Sequence, residues 1–341
     1  MTNNYTVCTR CFTFNQESYI LNALNGFVMQ ETTFPVVSCI VDDASTDNEP
    51  QVLRDYFNTH FDVDDSSCAF RENTDYGEVL FARHKTNRNC YFAVVLLKEN
   101  HFKKKSKRQY LTRWIDNSKY IALCEGDDYW TDPKKLQVQV EYMESHPHCT
   151  LTVHAAYWKK DGELHLRGCQ EPCPNDYSVE KLIRLGGLYF ATASFVYKPE
   201  LDEERPDWRR KAGVGDFPLQ ILAGIHGTVH FFPERMCVYR YQSNGAWSQK
   251  IRSDKFYIGF LKNKIEWMTL LDNDTGHKYR KAIYDQLYEH FQELYRFREI
   301  GVGEYAKAVH RSGEKRYRLL ILDFLKVELT PLYHLLKRVF K

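Results

Sequence analysis

No stretch of this chain approaches the run of about 18–20 apolar residues that a bilayer-spanning helix requires, which excludes that kind of membrane protein. The opening residues, Met1-Thr2-Asn3-Asn4-Tyr5, lack the basic and apolar regions of a secretory signal, so the expected compartment is the cytosol. An excess of one charge is missing too. Lys and Arg number 47 against 45 Asp and Glu in 341 residues, and nothing in that balance draws the chain to nucleic acid. The one dense basic run, His101 to Arg108, is local. Internal repeats and low-complexity linkers are absent. Close cysteine pairs occur at Cys8/Cys11 and Cys169/Cys173, without the companion spacing of a structural zinc site. Cys8, Cys39 and Cys124 lie in apolar runs and read as free thiols. What is present is a hydrophobic fraction of 43% with interspersed charge, enough to bury a substantial core.

The first half alternates strand and helix patterns. Tyr5 to Phe12, Phe34 to Val41, Tyr91 to Leu97 and Tyr120 to Cys124 are short apolar runs of the kind that form strands buried on both faces. Between them, Ser18 to Met29 carries Ile20, Leu21, Leu24, Phe27 and Val28 at helical spacing, and Glu49 to Phe57 repeats the pattern. Asp132 and Pro133 form a cap and first-turn pair for a helix through Leu136, Val140 and Met143. Such alternation predicts an α/β domain with a largely parallel sheet. Beyond Ser248 the pattern is helical throughout. The expected organisation is a domain over 1–248 and a helical C-terminal extension over 249–341.

Two of these strands end in acids. Val36 to Val41 runs into Asp42-Asp43-Ala44-Ser45-Thr46-Asp47, and Tyr120 to Cys124 runs into Glu125-Gly126-Asp127-Asp128-Tyr129-Trp130. In open α/β sheets ligands bind beyond the carboxyl ends of the strands, where both clusters fall. Adjacent carboxylates repel, and a cation shared with substrate phosphates is the usual compensation. Asp and Ser are also ordinary turn and cap residues. One cluster alone would carry little; two in this order carry more.

With those motifs the chain resembles the family-two glycosyltransferases, inverting enzymes of the GT-A (Rossmann-like) fold. Phe12-Thr13-Phe14-Asn15 stands where the family has a Pro-Thr-Tyr-Asn type motif. Asp42 to Asp47 matches its Asp-Asp-Gly-Ser-Thr-Asp motif, with Ala44 in place of glycine. Glu125 to Asp128 matches its Asp-Ser-Asp-Asp motif, with Glu125 in place of the first acid. The resemblance covers about residues 5–250. It implies that Thr13, Asn15, Glu17 and Asp43 line the nucleotide pocket. It further implies that Asp127 and Asp128 hold a divalent metal, Mn2+ or Mg2+, against the diphosphate, with Glu125 and Asp127 also on the donor. Gly213 to Leu219 resembles the family's Glu-Asp motif, which makes Asp216 the general base. Val238 to Gln242 resembles its Tyr-Arg-x-His segment, which sets Arg240 beside the donor.

The implied activity is transfer of a hexosyl or N-acetylhexosaminyl group from a nucleotide diphosphate sugar to a hydroxyl of a glycan or lipid-linked acceptor. Bacterial surface polysaccharide or glycoconjugate assembly is the implied setting. A non-catalytic nucleotide-sugar or glycan-binding module of the same fold is the alternative. A nucleotidyltransferase would be expected to carry a basic, glycine-rich first loop, and Cys11 to Gln16 has neither glycine nor lysine. At the C-terminus, Tyr317 to Lys326 and Leu332 to Lys341 predict two short helices joined at Pro331. The second combines Leu332, Leu335, Leu336 and Val339 on one face with Lys337, Arg338 and Lys341. Such a segment either packs on the domain or lies on the inner face of a membrane as a peripheral contact.

Overall fold

The computed structural model describes residues 5–102, 104–167, 174–241, 253–311 and 317–328. They divide into two compact units. The first takes the described residues of 1–177, 189–204 and 226–249, and the second those of 178–188, 205–225 and 250–341. Two stretches from within residues 1–248 therefore belong with the C-terminal helices.

The first unit is built on one mixed sheet. Its strands are β1 (Tyr5–Thr13), β2 (Val36–Asp42), β3 (Phe70–Asn73), β4 (Gly77–Arg83), β5 (Cys90–Leu97) and β6 (Ser118–Leu123). They continue with β7 (Tyr129–Trp130), β8 (Cys149–Lys160), β9 (Glu163–Arg167), β10 (Asp176–Tyr177), β11 (Val196–Tyr197) and β12 (Thr228–Arg240). The order across the sheet is β10-β12-β8-β11-β6-β1-β2-β5-β4-β3, with β7 on β12 and β9 on β8. The pairs β6/β1, β1/β2, β2/β5 and β8/β12 are parallel, and antiparallel strands join and flank them. Every residue of β2 is buried, as a strand covered on both faces requires. The expected α/β, GT-A-like fold with a helical C-terminal appendage is the one observed.

The helix Ile20–Val28 lays Ile20, Ala23, Leu24 and Phe27 against the sheet, and Glu49–His60 does so with Leu53 and Phe57. Leu136, Val140 and Met143 of the helix Lys135–Ser145 are buried at the expected spacing. Lys135 is also fully buried, with Nζ 4.3 Å from the Trp130 ring centroid and donating to Gln139 Oε1 at 2.8 Å. Burial pulls its ammonium down to about 7. The unfolded chain, with the ordinary lysine value of 10.5, then binds a proton that the folded chain does not between those two values, so folding stability rises with pH across that window. Lys135→Met is accordingly expected to raise the melting temperature at pH 7, by roughly 2–4 °C per kcal/mol recovered, and to lose that advantage toward pH 10. Paired melts at the two pH values check it.

The second unit is helical: Val179–Leu185, Asp207–Lys211, most of Asp216–His226, Asp254–Asp274, Arg280–Arg296, Val302–Arg311 and Tyr317–Glu328. Trp208, Phe217 and Trp267 meet in its core, with the Phe217 and Trp267 rings edge to face at 5.5 Å. The first expected C-terminal helix is observed as Tyr317–Glu328; the second, 332–341, lies outside the described residues. No described helix is long and apolar enough to cross a membrane.

Candidate active site

The parallel register of β1 with β2 sets Thr13 beside Asp42, and β6 lies on the other edge of β1. Three loops leaving the carboxyl ends of these strands therefore meet. The first, Phe14 to Glu17, is bound to the second, Asp43 to Asn48, through side chain to backbone contacts. Asn15 Oδ1 accepts the Thr46 N–H at 2.7 Å, Ser45 Oγ accepts the Asn15 N–H at 2.8 Å, and Glu17 Oε2 accepts the Asn48 N–H at 2.8 Å. Two backbones turn left-handed there. Asn15 has φ 54°, which asparagine tolerates, and Ala44 has φ 59°, which strains a residue with a Cβ by roughly 1–2 kcal/mol. That conformation accounts for the glycine of the family motif at the position of Ala44.

Beneath the two loops lies Glu49, which the sequence offered only as the first residue of a helix. It is fully buried, accepts the Gln16 N–H and the Ser45 hydroxyl at 2.9 Å each, and takes the Thr13 hydroxyl as well. Burial raises its carboxyl above the usual range, and these three donors oppose that rise.

Asp43 is buried on the same wall. Its Oδ1 accepts the His101 N–H at 2.7 Å, and its Oδ2 lies 2.9 Å from Lys107 Nζ. Lys107 belongs to the basic run that sequence reasoning set aside as local charge. The structure turns that lysine inward against the candidate nucleotide-binding aspartate. Its ammonium also stands 5.3 Å from the Phe12 ring centroid.

The third loop carries the second acid cluster. Gly126 N–H donates to the Phe12 carbonyl at 3.1 Å, and a Cβ on Gly126 would come within 2.4 Å of both Thr13 Oγ1 and Gln16 Oε1. Only glycine allows the two loops this approach. Burial pushes the Glu125 carboxyl up to about 7; Arg10 and Lys107 oppose the rise, and Asp127 adds to it. Asp127 is partly exposed, whereas Asp128 is buried and its Oδ1 accepts the Arg240 N–H at 2.9 Å. Arg240 sits below this loop. Its Nη1 donates to the Asp127 carbonyl and its Nη2 to Asn22 Oδ1 at 2.6 Å.

Thr13, Asn15, Glu17, Asp43, Glu125, Asp127, Asp128 and Arg240 thus lie on or against these three loops in the first unit. Asp216 belongs to the second unit. It is the first residue of the helix Asp216–His226, and its Oδ1 accepts the Phe217 N–H at 2.8 Å. A Cβ on Gly215 would meet open space, so the missing acid of the family motif is not a matter of room.

Among the described residues no three His, Cys, Asp or Glu side chains form a metal cage on their own. Magnesium and manganese do not need one. They take hard oxygen ligands, often one or two carboxylates, with the rest supplied by water and substrate phosphates. The two carboxylates expected to serve are Asp127, which is partly exposed, and Asp128, whose Oδ1 already accepts the Arg240 N–H. Glu125 and Asp127 repel each other, and a cation beside them would relieve that repulsion.

A search of solved structures returns S. aureus TarS, residues 1–349, with a TM-score of 0.59 over 94% of this chain and 86% of that one, at 14% identity. The chain shares the TarS fold. A mannosyltransferase from Pyrobaculum calidifontis, solved with GDP-Man and Mn2+, aligns over 98% of this chain and 88% of its own at 14% identity. Its TM-score of 0.47 is too low to add to that assignment. Uncharacterized protein Rv1520 of Mycobacterium tuberculosis is 29% identical over 327 residues, 94% of this chain and 81% of its own. No protein-family model matches the chain.

Proposed function

We propose that the protein is a metal-assisted, inverting glycosyltransferase that uses a nucleotide diphosphate sugar. The observation that carries this reading is the convergence of Asp43, Glu125 and Asp127 at the carboxyl ends of parallel strands in a GT-A-like fold, where such folds bind ligands. Thr13, Asn15, Glu17 and Asp43 form the nucleotide wall, and Asp43 is the acceptor for a base N–H. Asp127, which is partly exposed, is the leading carboxylate for a divalent cation. Asp128, expected as the second ligand, also steadies the loop through its bond to the Arg240 N–H, and Glu125 lies beside them. When bound, that cation offsets the charge of the departing diphosphate.

The remaining steps belong to the chain. Asp216 takes the proton of the acceptor hydroxyl as its oxygen attacks the anomeric carbon from the face opposite the diphosphate. The bond from the anomeric carbon to the diphosphate oxygen breaks as the new glycosidic bond forms. One displacement inverts the configuration.

Binding tests the donor half separately from turnover. UDP or GDP with Mn2+ is expected to raise the melting temperature, and the shift should disappear in chelator. A metal-independent shift, or none with any nucleoside diphosphate, would contradict the donor site.

The acceptor we propose is a hydroxyl on a lipid-linked glycan reached from the cytosolic face of a membrane. The helix Tyr317–Glu328 supports this, since it leaves Ile321 59% and Leu322 43% exposed near a C-terminus rich in lysine and arginine. Removing 317–341 should abolish salt-sensitive sedimentation with anionic liposomes while sparing nucleotide binding. Full-length protein that ignores such liposomes would rule the membrane contact out.

A further inference from the structure

Arg240 was expected beside the donor, and three hydrogen bonds tie it to the protein. Its backbone N–H is on Asp128 Oδ1, its Nη1 on the Asp127 carbonyl and its Nη2 on Asn22 Oδ1. The guanidinium carbon lies 4.6 Å from the Tyr129 ring centroid and 5.0 Å from that of Tyr19. Arg240 is 8% exposed and its backbone bond to Asp128 is buried. The guanidinium contacts to Asn22, Tyr19 and Tyr129 are partly shielded from water, which strengthens charge-assisted hydrogen bonds and cation–π contacts. Three elements meet on it. Asn22 belongs to the helix Ile20–Val28, Arg240 ends β12, and Tyr129 lies in β7, which pairs with β12 through Val238.

We propose that Arg240, with Asn22, Tyr19 and Tyr129, is a clamp that sets the backbone of the Glu125–Asp128 loop so that Asp127 faces a divalent cation. Arg240 is a positioning residue, acting through the Asp127 carbonyl and the Asp128 side chain. The inference rests on the donor-site reading above. A planar fork is needed to bond the loop carbonyl and the Asn22 side chain at once, and the ammonium of lysine, a point charge, does not reproduce it.

The test follows Mn2+ binding by electron paramagnetic resonance, with UDP and with GDP, in the parent, Arg240→Lys, Asn22→Ala and Tyr129→Phe. Hydrogen exchange of the amides of 126–130 is measured in the same proteins. Arg240→Lys is expected to weaken Mn2+ binding by about 10–100-fold, the range for losing a group that orients a ligand. Asn22→Ala, at an exposed position, should weaken it several-fold in a normally folded protein. Both should speed exchange of the loop amides. Tyr129→Phe keeps the ring face and should match the parent.

Faster loop exchange with unchanged Mn2+ affinity would overturn the clamp. So would an Arg240→Lys defect in UDP binding that persists in chelator, because Arg240 would then touch the nucleotide itself. Should the parent bind no Mn2+ with either nucleotide, the donor-site reading fails with it, while unchanged exchange in the variants would refute the clamp alone.

Discussion

Asp216→Asn is expected to lower turnover by about 10²–10⁴-fold, the range for losing a general base, while leaving nucleotide affinity close to that of the parent. The substitution separates two roles that the sequence leaves entangled. Asp216 opens the helix Asp216–His226, and its Oδ1 accepts the Phe217 N–H, so it also serves as an end group for that helix. Asparagine retains an oxygen for that hydrogen bond and is as good a residue at a helix start as aspartate. What asparagine cannot do is accept the hydroxyl proton. A large fall in kcat with an unchanged melting temperature therefore assigns the base, whereas a variant of normal turnover removes Asp216 from the mechanism. Steady-state kinetics with a saturating donor and a melting curve are the two measurements required.

The second large effect is expected at Asp127. Asp127→Ala should weaken nucleotide-sugar binding in Mn2+ or Mg2+ by about 10–100-fold or more, and should change binding in chelator little. The asymmetry follows from where the residue sits. Asp43 and its neighbours are proposed to form the nucleotide wall without Asp127, and the partly exposed Asp127 carboxylate to reach the donor through the cation. Asp128→Asn offers the contrast, since Asp128 is buried on the Arg240 N–H and an amide oxygen can still accept that bond. Isothermal titrations in metal and in chelator measure both. Equal losses under the two conditions would make Asp127 a direct nucleotide contact or a structural residue.

The parts of the site that were legible in sequence are those where one local pattern sufficed. Apolar runs ending in acids located β2 and β6 and the loops after them, because strands buried on both faces are mostly apolar, Ser38 being the one polar residue within Val36–Val41, until the acids that follow. The hairpin of β3 and β4 was not read, although Val79-Leu80-Phe81-Ala82 is as apolar as the strands that were. The partner strand β3, Phe70–Asn73, carries three polar residues, so no second apolar run marked a hairpin. In β12, Pro233 argues against a strand, and the pairing with β8 shifts register between Phe232 and Arg235 to admit it. Glu49 and Lys107 escaped for a different reason. A first-turn acid and a lysine in a basic run are ordinary surface residues in sequence, and only the tertiary contacts turn one under the Thr13 loop and the other onto Asp43. Arg240 was read as a residue of the site, but its bonds to the acid loop were not legible, because its partners lie 218 and 113 residues away.

Release of nucleoside diphosphate from a panel of nucleotide sugars, with and without Mn2+, tests the central claim most directly. The account predicts that at least one nucleotide sugar of the panel is turned over in metal, that chelator stops the reaction, and that Asp216→Asn slows it by about 10²–10⁴-fold while still binding the nucleotide. Tight, metal-dependent nucleotide binding with no turnover of any sugar, in hydrolysis or on offered acceptors, would contradict it and leave a binding module in its place.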